Sequence, residues 1–172
     1  MDLIEQLDKQ AVKELFSKNW LTHDAMWYGL CAVELGPAVA NRINKNAVRA
    51  MAAYEIKRIM KLMDIPGETH ITEFDELVDI LDTAFCVVQT NFMQFEYSFP
   101  KKNVLHGRFD ACFAHAGLKQ HGMIDTYDCG IVQRVKGWLE AIQVAYEMTP
   151  EFEGCLLHTI GSCEVDFHFQ LG

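Results

Sequence analysis

Cysteine and histidine recur together in the second half of the chain. Cys112-Phe-Ala-His115 and Cys155-Leu-Leu-His158 are both C-x-x-H, with Cys129 between them and Cys163 after them. Thiolate sulfur and imidazole nitrogen are the ligands zinc prefers, and four such groups close a tetrahedral site. The spacing departs from the paired C-x₂₋₄-C of structural zinc modules. Residues 151–158 read as a strand, where positions three apart point to opposite faces, so Cys155 and His158 are not expected to share an ion. The expected metal set is Cys112, Cys129, Cys163 and His115, with zinc or another divalent metal as the cofactor. The same residues support nucleophilic chemistry, with Cys112 or Cys129 attacking and His115 or His106 as base. That role requires a histidine or metal close enough to form the thiolate at neutral pH. Against both stands the reading of the thiols as small packed hydrophobes, or as a redox pair. Cys31 and Cys86 lie on apolar stretches and are expected in the core.

A second constellation projects from one face of the expected sheet: Gln94, Glu96, His106, Arg108, Glu164, Asp166 and His168. Open to water, it is an ordinary solvated face. Covered by helices, its charges would mark a pocket in which Arg108, His106, Glu96 and His168 bind a ligand. The planar fork of Arg108 would then clamp a carboxylate. A third set lies on helices: His23, Asp24, Glu34, Asn41, Asn44 and Glu55. Asparagine is a poor interior helix residue, so Asn41 and Asn44 point to hydrogen bonds between helices. Trp20, Trp27 and Tyr28 read as core or as a dimer surface. Dinucleotide, P-loop, HExxH and GxSxG fingerprints are absent.

Helices and strands must position these groups. Leu3, Leu7, Val12, Leu15 and Phe16 form a helical stripe expected to end near Asn19, with Thr22 capping a new helix and Asp24 in its first turn. An apolar run from His23 to Leu62 is interrupted only at Gly36-Pro37, where a kink or the meeting of two helices is expected. Within it, Ala40, Ile43, Ala47, Met51 and Tyr54 recur at three- and four-residue steps. A helix over residues 72–83 follows, its Phe74, Leu77, Val78 and Leu81 alternating with five acidic residues that form a solvated face. After Phe85 the period becomes two. Residues 91–99 and 104–109 form a hairpin around the turn at residues 100–103. Residues 111–120 and 129–146 read as helices, and residues 151–158 and 163–171 as a closing hairpin.

The expectation is α+β: a helical part of about residues 1–84 packed on an antiparallel sheet of two hairpins, with further helices, within about residues 85–172 and the whole forming one domain over 1–172. Of 172 residues, half are hydrophobic and 23% charged, which excludes disorder and collagen. Residues 1–70 carry nine basic and nine acidic side chains, whereas residues 71–172 carry six and fifteen, the whole net charge of −9. An acidic chain argues against nucleic acid and anionic membrane surfaces as partners. No targeting signal and no apolar run of roughly 20 residues is visible, so a cytoplasmic location and free thiols are expected.

Several of these stretches carry a resemblance. Asn19-Trp20-Leu-Thr-His23-Asp24-Ala-Met-Trp27-Tyr28, Asn41-Arg-Ile-Asn44-Lys, Cys112-Phe-Ala-His-Ala-Gly117 and Tyr127-Asp-Cys129-Gly-Ile131 resemble an uncharacterised family of small cytosolic proteins from bacteria and archaea. More distantly, Trp138-Leu-Glu-Ala-Ile142, Cys155 and Gly161-Ser-Cys163-Glu-Val-Asp-Phe167 are similar to four-vinyl-reductase-type small-molecule-binding domains and to aminothiazoline-carboxylate hydrolase-like proteins. That likeness implies that Cys112, Cys129 and Cys163 hold the positions of recurring cysteines. The functional expectation is a small molecule bound between helices and sheet, with a cysteine- or metal-dependent hydrolase of a small heterocycle or amide as the alternative, and a homodimer formed through the long helices.

Overall fold

The computed structural model describes residue 6 and residues 8–172, so Leu3 and Leu7 of the first stripe lie outside the described residues. Helix α1 (Lys9–Leu35) is capped by Asp8, whose carboxylate accepts from the backbone N–H of Ala11 at 2.6 Å. It runs without a break through Asn19 and Thr22, correcting the expected stop there. Nothing between residues 19 and 22 is Gly or Pro, and a polar exposed pair costs a helix little. The chain turns at Gly36, whose φ of 82° suits a residue with no Cβ. Pro37 then opens α2 (Pro37–Leu62) at the position where its missing N–H costs nothing.

Helix α3 (Phe74–Val88) buries Phe74, Leu77, Ile80, Leu81, Ala84 and Phe85, and its acidic side chains stay on the outer face. It runs five residues past the expected end at Thr83, so Cys86 lies on a helix and is exposed, and Cys31 is only half-buried. Strands β1 (Gln94–Lys101) and β2 (Val104–Ala111) form the expected hairpin, closed by Asn103 at φ 62°. Then come α4 (Phe113–Gln120), a 3₁₀ turn (Ile124–Thr126) and α5 (Ile131–Ala141).

The C-terminal third departs most from expectation. Strand β3 is Tyr146–Thr149, not residues 151–158, and the segment read as a strand contains a short helix, α6 (Leu156–Thr159). Strand β4 (Glu164–Phe169) inserts between β2 and β3 to give the antiparallel order β1-β2-β4-β3. The fold is therefore α+β with six helices and a four-stranded sheet among the described residues. Two shifts of register interrupt the β1–β2 ladder, near Gln94 and between Ser98 and Lys101.

The main core gathers Ile56, Ile59 and Met60 of α2, the inner face of α3, Trp138 and Leu139 of α5, and Leu105, Val165, Phe167 and Phe169 of the sheet. The α2 stripe of Ile43, Ala47 and Tyr54 is not part of it: those residues are exposed. At Gly137 a Cβ would stand 2.8 Å from both the Ala52 Cβ and the Arg49 carbonyl, so glycine is what lets α5 lie directly on α2. Among the described residues, no helix is long and apolar enough to cross a membrane.

Candidate functional site

Four cysteines from four separate segments line one small cavity. Cys112 caps α4, Cys129 stands one residue before the cap of α5, Cys155 caps α6, and Cys163 immediately precedes β4. Backbone bonds hold these ends together: Phe109 N–H donates to the Cys163 carbonyl at 2.9 Å, and Cys129 N–H to the Gly154 carbonyl at 3.1 Å. His115 and Tyr127 share the lining, which is almost wholly apolar, and the cavity measures about 20 Å³.

Thus Cys112, Cys129, Cys163 and His115, set apart in the sequence as metal candidates, converge on one place. The sequence reading missed Cys155, because a strand over residues 151–158 turned it away from its neighbours. His158, its C-x-x-H partner, points outward and bonds the exposed Asp125 at 2.8 Å. Among the described residues, no three His, Cys, Asp or Glu side chains stand in metal-ligating geometry.

The loop carrying Cys129 is pinned from below by Asn41. Its amide donates to the Thr126 carbonyl at 2.7 Å, while its side-chain oxygen accepts from the Tyr28 hydroxyl at 2.9 Å and the Asp128 N–H at 3.0 Å. Buried in α2, Asn41 therefore ties α1 and the cysteine loop to one point, which meets the expectation of bonding between helices. Asp128 accepts from Lys45 at 2.9 Å and from Gly154 N–H at 3.1 Å, and these bonds hold its carboxyl below the usual range. The Tyr127 hydroxyl accepts from Gly130 N–H at 2.9 Å.

Burial dominates the chemistry of the thiols. It pushes Cys129 up to about 11 and Cys163 up to about 12, and raises Cys112 as well. Backbone N–H groups of His115 and Ala114 act on Cys112, and those of Val132 and Ile131 on Cys129, in the opposite direction, but desolvation outweighs them. Each of these three also feels the charge that its neighbouring cysteines would carry. Burial, with Lys119 and His158 nearby, lowers His115 and favours its neutral ring.

One prediction follows from the raised thiols. The folded protein holds these protons more tightly than the unfolded chain, so stability is full below about pH 9 and falls as pH rises through 11 and 12. Urea midpoints of the reduced, metal-free protein should drop between pH 9 and 11. A Cys129→Ala variant should show a shallower drop, and equal slopes for the two would contradict the assignment.

The second constellation lies elsewhere. His106 pairs with Asp166 at 2.7 Å, and Arg108 with Asp110 at 2.6 Å. With the Arg108 and Glu164 side chains 50% and 53% exposed, this sheet face is open to solvent and the alternative of a helix-covered pocket is not met. Glu96 sits opposite Arg108 on β1, and His168 bonds Thr149 across the β3–β4 ladder at 2.9 Å.

The profile of a family described as a family of unknown function (DUF6125) matches residues 4–158. Among curated proteins, none matches the chain. A solved structure of trafficking protein particle complex subunit 3 from Naegleria fowleri, covalently bound to palmitic acid, superposes with a TM-score of 0.54 at 16% identity, covering 91% of this chain and 96% of that one. The likeness is one of fold. It is to a trafficking subunit, not to the reductase-type or hydrolase-like groups.

Proposed function

We propose for this chain, which belongs to the DUF6125 family of unknown function, a role as a binding protein whose four-thiol cavity takes one soft divalent cation of the zinc class. The observation that carries the reading is the cavity itself: Cys112, Cys129, Cys155 and Cys163 line about 20 Å³. A water needs roughly 10–15 Å³ and an organic ligand roughly 300 Å³ or more, so the space suits a single ion. The Naegleria subunit is covalently bound to palmitic acid, and an acyl chain belongs to the larger of those two classes.

The electrostatics support the same reading. Without a cation the apolar lining keeps Cys112, Cys129 and Cys163 protonated, which works against either candidate nucleophile and hence against hydrolysis by cysteine alone. A dication reverses that balance, because the same low dielectric strengthens its attraction for thiolates. The backbone N–H groups that face Cys112 and Cys129 offset the negative charge of the resulting thiolate set. Because the thiols do not stand in ligating geometry as they are, binding requires the four side chains to rearrange until each sulfur lies about 2.3 Å from the ion.

An adjoining cavity of about 50 Å³ is, by the same comparison, also too small for an organic ligand. It shares Cys129, Val132 and Phe152 with the first and has Lys45 and Lys136 in its lining.

Protein purified without an affinity tag is expected to contain about one equivalent of zinc. Cobalt substitution should give sulfur-to-metal charge-transfer bands. Cys112→Ser and Cys155→Ser should each weaken binding about tenfold or more. Because every ligating thiol releases a proton, affinity should rise steeply with pH. Protein that neither retains zinc nor gains thermal stability on its addition would overturn the proposal.

A further inference from the structure

The cavity that adjoins the four thiols, about 50 Å³ in volume, has a lining of a different kind. Lys45 reaches it from α2, Gln133 and Lys136 from α5, Asp128 from the loop before α5, and Glu153 from the loop before α6. Gly137 lets α5 lie directly on α2, and so brings the neighbouring Lys136 close to the charges of Arg49 and Lys45. Those two stand four residues apart on α2, a spacing at which like charges repel. Lys136 adds a third cation to the pair.

Nearby acids answer only two of the three. Asp128 pairs with Lys45 at 2.9 Å, and Glu140 with Arg49 at 3.4 Å. Lys136 is half-buried and makes no ion pair among the described residues. Burial, together with Arg49 and Lys45, holds its ammonium below the ordinary lysine range, against the pull of Glu140 and Glu151. A cation drawn out of water without a counter-ion carries a cost that an arriving anion removes.

The hydrogen-bonding groups point the same way. Gln133 Oε1 accepts from Arg49 Nε at 2.7 Å, which leaves the Gln133 amide N–H groups to donate. Lys45 gives one of its three N–H groups to Asp128. Both Asp128 oxygens are engaged, one by Lys45 and the other by Gly154 N–H. Glu153 is the exception among the acceptors, and it is exposed. The cavity therefore offers more spare donors than acceptors, which suits a ligand that only accepts.

We propose that this cavity binds one inorganic oxyanion of the phosphate and sulfate class, held by Lys45, Gln133 and Lys136. Size selects the free ion. At roughly 10–15 Å³ for each water-sized oxygen, the space takes about four, the number on a tetrahedral oxyanion, with no room for an attached organic group.

The site does not rest on the cation reading, because Cys112, Cys155 and Cys163 line only the neighbouring cavity. Equilibrium dialysis of the full chain against radiolabelled inorganic phosphate, at constant ionic strength, should show one saturable site with a dissociation constant of about 1 mM or tighter. Excess sulfate should displace the label, whereas glycerol 3-phosphate should compete at least about tenfold less well. Lys136→Gln should weaken binding about tenfold or more, yet leave the phosphate-free protein at least as heat-stable as the parent, since it removes an unpaired cation. Glu153→Gln removes a repelling charge and should tighten binding about threefold. Cys112→Ser should bind phosphate as the parent does. The proposal is overturned by the absence of saturable binding, by unchanged affinity in Lys136→Gln or by weaker affinity in Glu153→Gln. Equal competition by glycerol 3-phosphate would overturn the free ion as ligand, and a loss in Cys112→Ser as large as in Lys136→Gln would place the anion in the thiol cavity instead.

Discussion

Glu55→Ala is expected to lower the free energy of unfolding by about 3–5 kcal/mol, the range seen when one partner of a buried ion pair is removed. Glu55 on α2 accepts two bonds from the Arg134 guanidinium of α5 and a third from the Trp138 indole N–H at 2.9 Å. The Arg134 and Glu55 side chains are 18% and 16% exposed, so solvent screens the pair little. Trp20 and Trp138 lie against the guanidinium with ring centroids at 5.3 and 5.8 Å. Truncating Glu55 leaves a cation held among indoles with no anion, and leaves an indole donor unsatisfied. The penalty therefore comes from what remains behind. Arg134→Leu in the Glu55→Ala background should recover part of it, giving a double-mutant coupling of about 1–3 kcal/mol. Urea denaturation of the four proteins measures this, and a Glu55→Ala loss under about 0.5 kcal/mol would refute the account.

Phe85→Ala is the second large effect, again expected at about 3–5 kcal/mol. The Phe85 ring is 3% exposed and lies 4.2 Å from Tyr97, 5.3 Å from Phe95 and 5.4 Å from Trp138, centre to centre. It is thus where α3, β1 and α5 meet. Truncation opens a void bounded by three elements that cannot all close on it, so the cavity penalty adds to the lost transfer free energy. Phe85→Leu, which refills most of the volume, should cost about 1–2 kcal/mol. If the two substitutions lowered the thermal midpoint equally, packing around this ring would not be the cause.

The α+β class and the β1–β2 hairpin were legible because the hydrophobic period changes from three and four to two after Phe85, and again in β4, where Val165, Phe167 and Phe169 alternate with polar residues. The division near Asn19 was not, since capping residues read alone suggest a boundary that uninterrupted α1 packing overrides. Strand β3 was hidden for another reason. At four residues it offers too few alternations to stand out, and α5 stops where Gln143 takes a left-handed φ of 59° that no glycine announces. The same misreading cost Cys155. Three of the four cysteines could be grouped from residue type alone, but the fourth needed the local path of the chain between Gly154, at φ 75°, and Gly161, at φ 78°.

The shape of the sheet also bears on behaviour at high concentration. A sheet edge exposes unpaired N–H and C=O groups that can recruit a strand from another molecule and start aggregation. Here the edge strand β1 is interrupted by two register shifts and carries Pro100, which has no N–H to offer. The opposite edge, β3, is only four residues long and is followed directly by Pro150. Neither edge gives an incoming strand a long straight template. The folded protein is thereby protected against fibre growth from its sheet.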